Sequence, residues 1–214
     1  MNPLVIAIDS STTATKAIVV DTEGKVLALG RQDIDLLSPQ QGFGEHDPRQ
    51  WWTSTHDAVA QALAQLTPSE KERIAAFGIT HQRESFAPFA ADGTPLRNGI
   101  LWLDIRAADQ VQRYGTPEIH ALSGRPADVT PGLYKMAWLK ENEPESLAKA
   151  DKVTTVSAYI AFCLTGKWVD SAACADSLSL SNIKTLEYDD GLLEIAGVRR
   201  EQMADLVKPG QVLG

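Results

Sequence analysis

Apolar residues fall along the chain in runs and stripes that predict its elements. Residues 4–8 form a continuous apolar run closed by Asp9, and residues 17–20 form another closed by Asp21. Short apolar runs bounded by turn signals predict buried strands, here a hairpin across Ser10-Ser11-Thr12-Thr13. Residues 22–25 read as a second turn, and 26–37 as a long, irregular third strand, so three strands meander. Residues 38–44 are loop chemistry. Asp47 as N-cap and Pro48 at the first helical position open a helix in which Trp52, Val59, Leu63 and Leu66 recur at helical spacing as a core face. Residues 69–73 predict a short polar bridge into a strand at 74–79. Strand, helix, strand implies a parallel crossover, and ligands bind beyond the carboxyl ends of such strands.

Further on, 85–89 resumes an apolar strand and 100–103 is another apolar run. Helices are expected at 107–114, 117–122, 133–141 and 144–150, the last capped by Asn142 or Glu143. A brief strand at 153–156 precedes an apolar helix at 158–164 that Gly166 closes. The Ser- and Ala-rich stretch 171–181 carries alternating Leu178 and Leu180. One more helix lies within 188–198, and 202–206 is a short helical turn. There is no repeat, heptad or long linker. The pattern describes an α/β chain with a mixed sheet, an initial antiparallel three-strand meander and flanking helices.

Composition narrows the function classes. With 214 residues, 43% hydrophobic and 22% charged, the chain suits one large domain or two small ones. A net charge of −8 argues against a nucleic-acid surface, but a few local donors can still hold an anionic nucleotide. Two cysteines, Cys163 and Cys174, without CxxC spacing, suit a reducing compartment. No signal peptide or membrane-length apolar run is visible, so a cytoplasmic protein is expected.

Two places could carry chemistry. In the first hairpin, the turn hydroxyls and backbone N–H groups could cradle phosphate oxygens, with Lys16 adding charge and Asp9 holding magnesium; the same hydroxyls could equally serve only the turn. At 80–84, Thr-His-Gln-Arg-Glu stands between two strands, either as a recognition cluster or as an Arg83–Glu84 surface pair of little energetic weight. His46 reads as a structural loop histidine. No nucleophilic triad stands out, and the four scattered histidines give no metal spacing.

Five motifs in order then carry a resemblance: Asp9-x-x-Thr-Thr-x-x-Lys16, Gly42-Phe-Gly-Glu-His-Asp-Pro-x-x-Trp51, Gly78-Ile-Thr-His-Gln-Arg-Glu84, Trp102-Leu-Asp-Ile-Arg106, and Lys135-Met-Ala-Trp-Leu-Lys-Glu-Asn142. The combination resembles the FGGY carbohydrate kinases along nearly the whole chain. The resemblance implies an actin-like, ribonuclease H-like fold of two domains with sugar or polyol and ATP meeting in the cleft between them. Residues 1–214 would be the N-terminal domain, with sugar contacts and the first phosphate loop. The C-terminal adenosine-binding domain and the catalytic aspartate base would follow Gly214, so the 214-residue chain alone is expected to be inactive. The implied activity is ATP- and Mg²⁺-dependent phosphorylation of a sugar or polyol hydroxyl. By resemblance Asp9 organises the metal, Thr12, Thr13 and Lys16 bind phosphate, and Gln82, Arg83, Glu84, Trp102 and Asp104 bind substrate. An Arg donor beside a carboxylate acceptor suits a vicinal diol. Besides a small sugar or polyol and the missing C-terminal domain, a homodimer is an expected partner; nucleic acid and membrane are not. Ser11 stands where the family usually has Gly, Thr130 where glycerol kinases have a substrate-binding Tyr, and Gly132 where Pro, Ser or Thr is expected. The alternatives are an actin-like ATPase module and a non-catalytic sugar-binding domain.

Overall fold

The computed structural model describes residues 2–214. Its elements run β1 (Leu4–Ser10), β2 (Ala14–Asp21), β3 (Val26–Asp33), β4 (Glu45–His46), α1 (Arg49–Leu63), α2 (Pro68–Lys71), β5 (Ile74–His81), β6 (Phe86–Phe89) and β7 (Gly99–Ile100). Then follow α3 (Ala108–Tyr114), α4 (Pro117–Ser123), α5 (Gly132–Asn142), α6 (Pro144–Ala148), β8 (Lys152–Thr155), α7 (Val156–Thr165), β9 (Val169–Ser171), α8 (Ala172–Ala175), β10 (Ser181–Asn182), β11 (Glu187–Tyr188), α9 (Asp190–Ala196) and β12 (Asp205–Val207). The chain forms two compact units. The first comprises Met1–Leu36 and Arg49–Gln82, the second Leu37–Pro48 and Arg83–Gly214. No helix among the described residues is long and apolar enough to cross a membrane.

The first unit is a four-stranded mixed sheet in the order β3-β2-β1-β5. β1, β2 and β3 are antiparallel neighbours, as the meander predicts, and β5 returns parallel to β1 after the α1 crossover. Strand alternation puts Leu4, Ile6 and Ile8 on the face that packs with Ala17, Val19, Ala28, Ala58 and Ala62. The expected stripe holds in part: Leu66 is buried in the core and Val59 and Leu63 pack against it, but the deepest positions of the helix are others. Trp51, Ala58 and Ala62 are fully buried, while Trp52, Val59 and Leu63 are half-buried. The reason is a close approach of backbones: a Cβ on Gly30 of β3 would fall 1.9 Å from the Ala58 carbonyl oxygen. Only small side chains fit under that crossing. The two edges of the sheet differ. Along β3, the Gln65 carboxamide bonds the Leu29 N–H and C=O at 3.4 and 2.6 Å, and Gln61 accepts from the Arg31 N–H at 3.1 Å. Along β5, Ala75, Ala76, Phe77 and Gly78 are exposed in succession.

Several local expectations are corrected. The helix starts at Arg49, one residue beyond Pro48, and the third strand ends at Asp33. The supposed polar bridge contains α2, where Thr67 and Glu70 form a reciprocal capping box; Thr67-Pro68-Ser69-Glu70 spells that signal. Glu143 makes no side-chain cap on α6.

The second unit has its own antiparallel sheet, β4-β7-β6-β8. The apolar strand after the polar cluster therefore belongs to a different sheet from β5. Phe86, Ile100, Leu133, Met136, Leu139, Val153, Leu178 and Leu192 share its core. β9 and β12 pair in parallel; neither three-residue strand was expected, and β12 replaces the end of the expected helical turn. Thr155 and Gly166 bracket α7, with Gly166 left-handed at φ +73°.

Candidate functional site

In the first unit the candidate phosphate loop is the turn between β1 and β2. Asp9 and Lys16 are cross-strand partners, so their side chains leave the same face of the hairpin. Lys16 and Thr13 are exposed, and Lys16 makes no ion pair among the described residues. Ser11 Oγ donates to Asp9 Oδ2 at 2.8 Å. The serine that departs from the expected glycine thus orients the acid. Gln82 closes β5 over this loop: its N–H bonds the Ser10 carbonyl at 2.8 Å, its Nε2 donates to the Ser11 carbonyl at 3.3 Å, and Thr12 Oγ1 reaches its Oε1 at 3.5 Å. Gln82 is tied to the candidate phosphate loop, whereas sequence reasoning grouped it with Arg83 and Glu84 as a sugar binder. One carboxylate fits Mg²⁺, which keeps most of its water and binds through one or two acids together with substrate phosphates. No group of three or more potential ligands occurs among the described residues.

The second unit brings Arg83, Glu84 and Trp102 into one neighbourhood. Glu84 is left-handed at φ +63°, an uncommon conformation for a residue with a Cβ. Its N–H donates to Ser177 Oγ at 3.2 Å, and its carboxylate accepts from Arg125 at 2.6 Å. Arg83 donates to Asp176 at 2.5 Å. The next residue, Ser85, accepts from the Trp102 N–H at 3.1 Å, while the Trp102 side of the chain stays 41% exposed. Trp102 therefore has an anchored backbone and a displayed ring. Arg125 and Asp176 line a neighbouring cleft with Ser123, Asn182 and Ile183.

A model of the N-terminal domain of the FGGY family of carbohydrate kinases matches residues 4–214. The chain belongs to that family. A glycerol kinase from Thermococcus gammatolerans is 34% identical over 224 residues, covering all of this chain and 45% of that protein. Among solved structures, a ligand-bound xylulose kinase and a gluconate kinase, both from Lactobacillus acidophilus, are each 29% identical. Their TM-scores are 0.92 and 0.91, and each match covers 99% of this chain and 43% of theirs. The FGGY chain described here spans about 45% of the curated relatives' length. The actin-like, ribonuclease H-like fold class read from the motifs holds.

Three FGGY motifs then prove to be one buried network in the second unit. Asp104 is fully buried. It accepts the Gly44 N–H at 2.7 Å and, on both oxygens, the Arg106 guanidinium at 2.9 and 2.7 Å. Arg106 also reaches Glu45 at 2.6 Å, and Arg97 meets the same Glu45 oxygen at 2.9 Å. The Arg106 guanidinium lies 3.8 Å from the Phe43 ring centre and 5.0 Å from that of Trp138. Burial opposes the Arg106 charge, and the hydrogen bonds it donates to Asp104 and Glu45 raise its pKa nonetheless. Asp104 was expected to bind substrate; its carboxylate is instead sealed in this network and holds the Gly42–Glu45 loop. Arg106, Arg125, Asp176 and Lys135 were not singled out as site residues. Arg106 stood inside a quoted motif, whereas Arg125 sat in a Gly-Arg-Pro breaker and Asp176 in a Ser/Ala stretch, where nothing local marks a partner for Glu84 or Arg83.

Proposed function

We propose that this chain is the sugar- and polyol-binding half of an ATP-dependent carbohydrate kinase. The observation that carries the reading is Glu84: a carboxylate held in a left-handed backbone, beside Arg83 and one residue from the serine that anchors Trp102. Strain of that kind persists where surrounding contacts over-determine it, and it clusters at ligand sites. The Glu84 carboxylate accepts and the Arg83 guanidinium donates, so adjacent hydroxyls of a polyol find both partners. The Trp102 face covers the carbon side of the same ligand. Arg125 and Asp176 neutralise the two charges without sugar.

Phosphoryl transfer requires positioning and charge neutralisation above all. We assign phosphate contacts to Thr12, Thr13 and Lys16, and Mg²⁺ to Asp9, oriented by Ser11. When bound, the ion supplies charge neutralisation at the phosphates. The acceptor hydroxyl would lose its proton to a carboxylate base in the other half of the kinase. Free cysteines accord with work in the cytoplasm, where ATP and Mg²⁺ are plentiful. The substrate range of the named relatives points to three-carbon to six-carbon polyols, ketoses or sugar acids. An ATPase module that only switches conformation has no use for a diol pair with an aromatic wall.

Calorimetry of the chain with glycerol, xylitol, D-xylulose and gluconate tests the reading. Saturable heat with at least one of them, lost in Glu84→Gln, is expected; silence with all four, together with heat from ATP, would favour the ATPase reading.

A further inference from the structure

Lys135 is fully buried on α5, between Tyr134 and Met136, and makes no ion pair among the described residues. Its Nζ donates to three backbone carbonyls: Leu101 at 2.7 Å, Thr130 at 2.8 Å and Trp102 at 3.0 Å. A buried ammonium is costly to desolvate, and an apolar side chain of similar volume would avoid that cost. The arrangement is explained by its acceptors. Three carbonyls converge on one point, and only an ammonium gives three donors from one atom, since a guanidinium spreads its donors in a plane. The result is that both backbone polar groups of Trp102 are held, its N–H by Ser85 and its carbonyl by Lys135, while its ring remains exposed. The same nitrogen ties that peptide to Thr130, in the turn that leads into α5.

We propose that Lys135 is a positioning residue that fixes the Trp102 ring, together with the Thr130 turn, as one rigid wall of the polyol site. This role rests on the polyol-binding reading of that surface, but its geometry can be read without any sugar. The charged groups facing Lys135 are Asp104, Glu84 and Asp128, which favour its charge, and Arg106, which opposes it; burial dominates and lowers its pKa to about 7. A neutral amine keeps two N–H donors, so as pH rises through that value one of the three carbonyls is released and the wall loosens.

The test is ¹⁹F NMR of the protein labelled with 5-fluorotryptophan, which gives one resonance for each of the five tryptophans; the loss of a line in Trp102→Phe assigns Trp102. In wild type, the Trp102 line should titrate with a midpoint near 7. In Lys135→Met it should shift or broaden and lose that titration while the other four hold their positions. A Trp102 line that is unmoved in Lys135→Met, or that titrates there as in wild type, overturns the proposal. Should Lys135→Met fail to fold, Lys135→Gln decides: a Trp102 line there unchanged from wild type overturns it, whereas a flat wild-type line only places the Lys135 pKa outside about pH 5.5 to about pH 9. Adding xylitol separates the two ideas. The folded variant should bind it at least about tenfold more weakly than wild type. A wild-type protein indifferent to polyols but titrating at Trp102 would sink the sugar reading and keep the clamp; a normal polyol response with a Trp102 line unmoved by the Lys135 substitution would sink the clamp alone.

Discussion

The proposed phosphate hairpin of the first unit and the proposed polyol neighbourhood around Glu84 and Trp102 in the second are built in opposite ways. On the hairpin, Lys16 and Thr13 stand exposed, and order comes from two tethers: Ser11 on Asp9 and Gln82 on the loop backbone. Around Glu84 each charged group is already committed, Arg83 to Asp176 and Glu84 to Arg125, and the Trp102 peptide is anchored twice. Preorganised groups lose less freedom when a ligand arrives. On the proposed reading, a neutral sugar offers only hydroxyls and carbon faces and calls for a site shaped beforehand, whereas a polyphosphate would bring its own charge and metal to an open hairpin. The difference is one between a shaped surface and an electrostatic landing place.

Stability offers the strongest way to break this contrast. Asp104→Ala leaves Arg106 buried without its bidentate partner and should cost about 3–5 kcal/mol, read by urea unfolding. Lys16→Ala should change stability by less than about 0.5 kcal/mol. Equal costs would erase the distinction. Next in size is binding: Glu84→Gln should weaken polyol binding roughly ten- to a hundredfold with the fold retained. In a kinase completed by its C-terminal half, Asp9→Ala should abolish turnover and leave polyol affinity nearly unchanged. A polyol defect from Asp9→Ala would merge the two regions into one.

A pH effect sharpens the comparison further. The folded pKa of Lys135 is lowered from 10.5 to about 7. Between those values the unfolded chain holds more protons at this position, so its contribution to stability rises with pH over that window; below pH 7 it is unfavourable and constant. Denaturant midpoints of wild type and Lys135→Met at pH 6.5 and pH 8.5 should therefore diverge, with a rising slope only in wild type. A small effect also belongs to the hairpin. Ser11→Gly removes the hydroxyl on Asp9 and should cost within about 1 kcal/mol, with a larger relative loss in Mg-dependent activity of the completed kinase than in stability.

What could be read from the sequence follows from the range of the interactions. The β1–β2 hairpin, the meander and the parallel return of β5 were legible because apolar runs and turn residues are local signals. The α1 stripe was right for Val59, Leu63 and Leu66, which pack in or against the core, but it missed Ala58 and Ala62 at its centre, since the Gly30–Ala58 approach is a long-range steric fact. The three-residue β9 and β12 are too short to carry a period. Among site residues, the motifs pointed alike to Gln82, Arg83, Glu84, Trp102 and Asp104, and they could not separate a residue free to meet a ligand from one holding the scaffold. Gln82 and Asp104 belong to the second kind. Lys135 lay in a quoted motif as a letter; its three carbonyl partners come from segments up to 34 positions away, and no spacing rule encodes them.

The unlike edges of the first sheet have a practical consequence. On β3, Gln61 of α1 and Gln65 just beyond it occupy the outward backbone groups, and the Arg31–Asp33 pair adds charge, so another chain finds little to pair with. Among the described residues β5 has no such guard along Ala75-Ala76-Phe77-Gly78, and a Cβ at Gly78 would meet nothing within 4 Å. Handled alone at high concentration, the protein should self-associate through β5, and a lysine at Gly78 should restore monodispersity where the same change on the guarded edge would not.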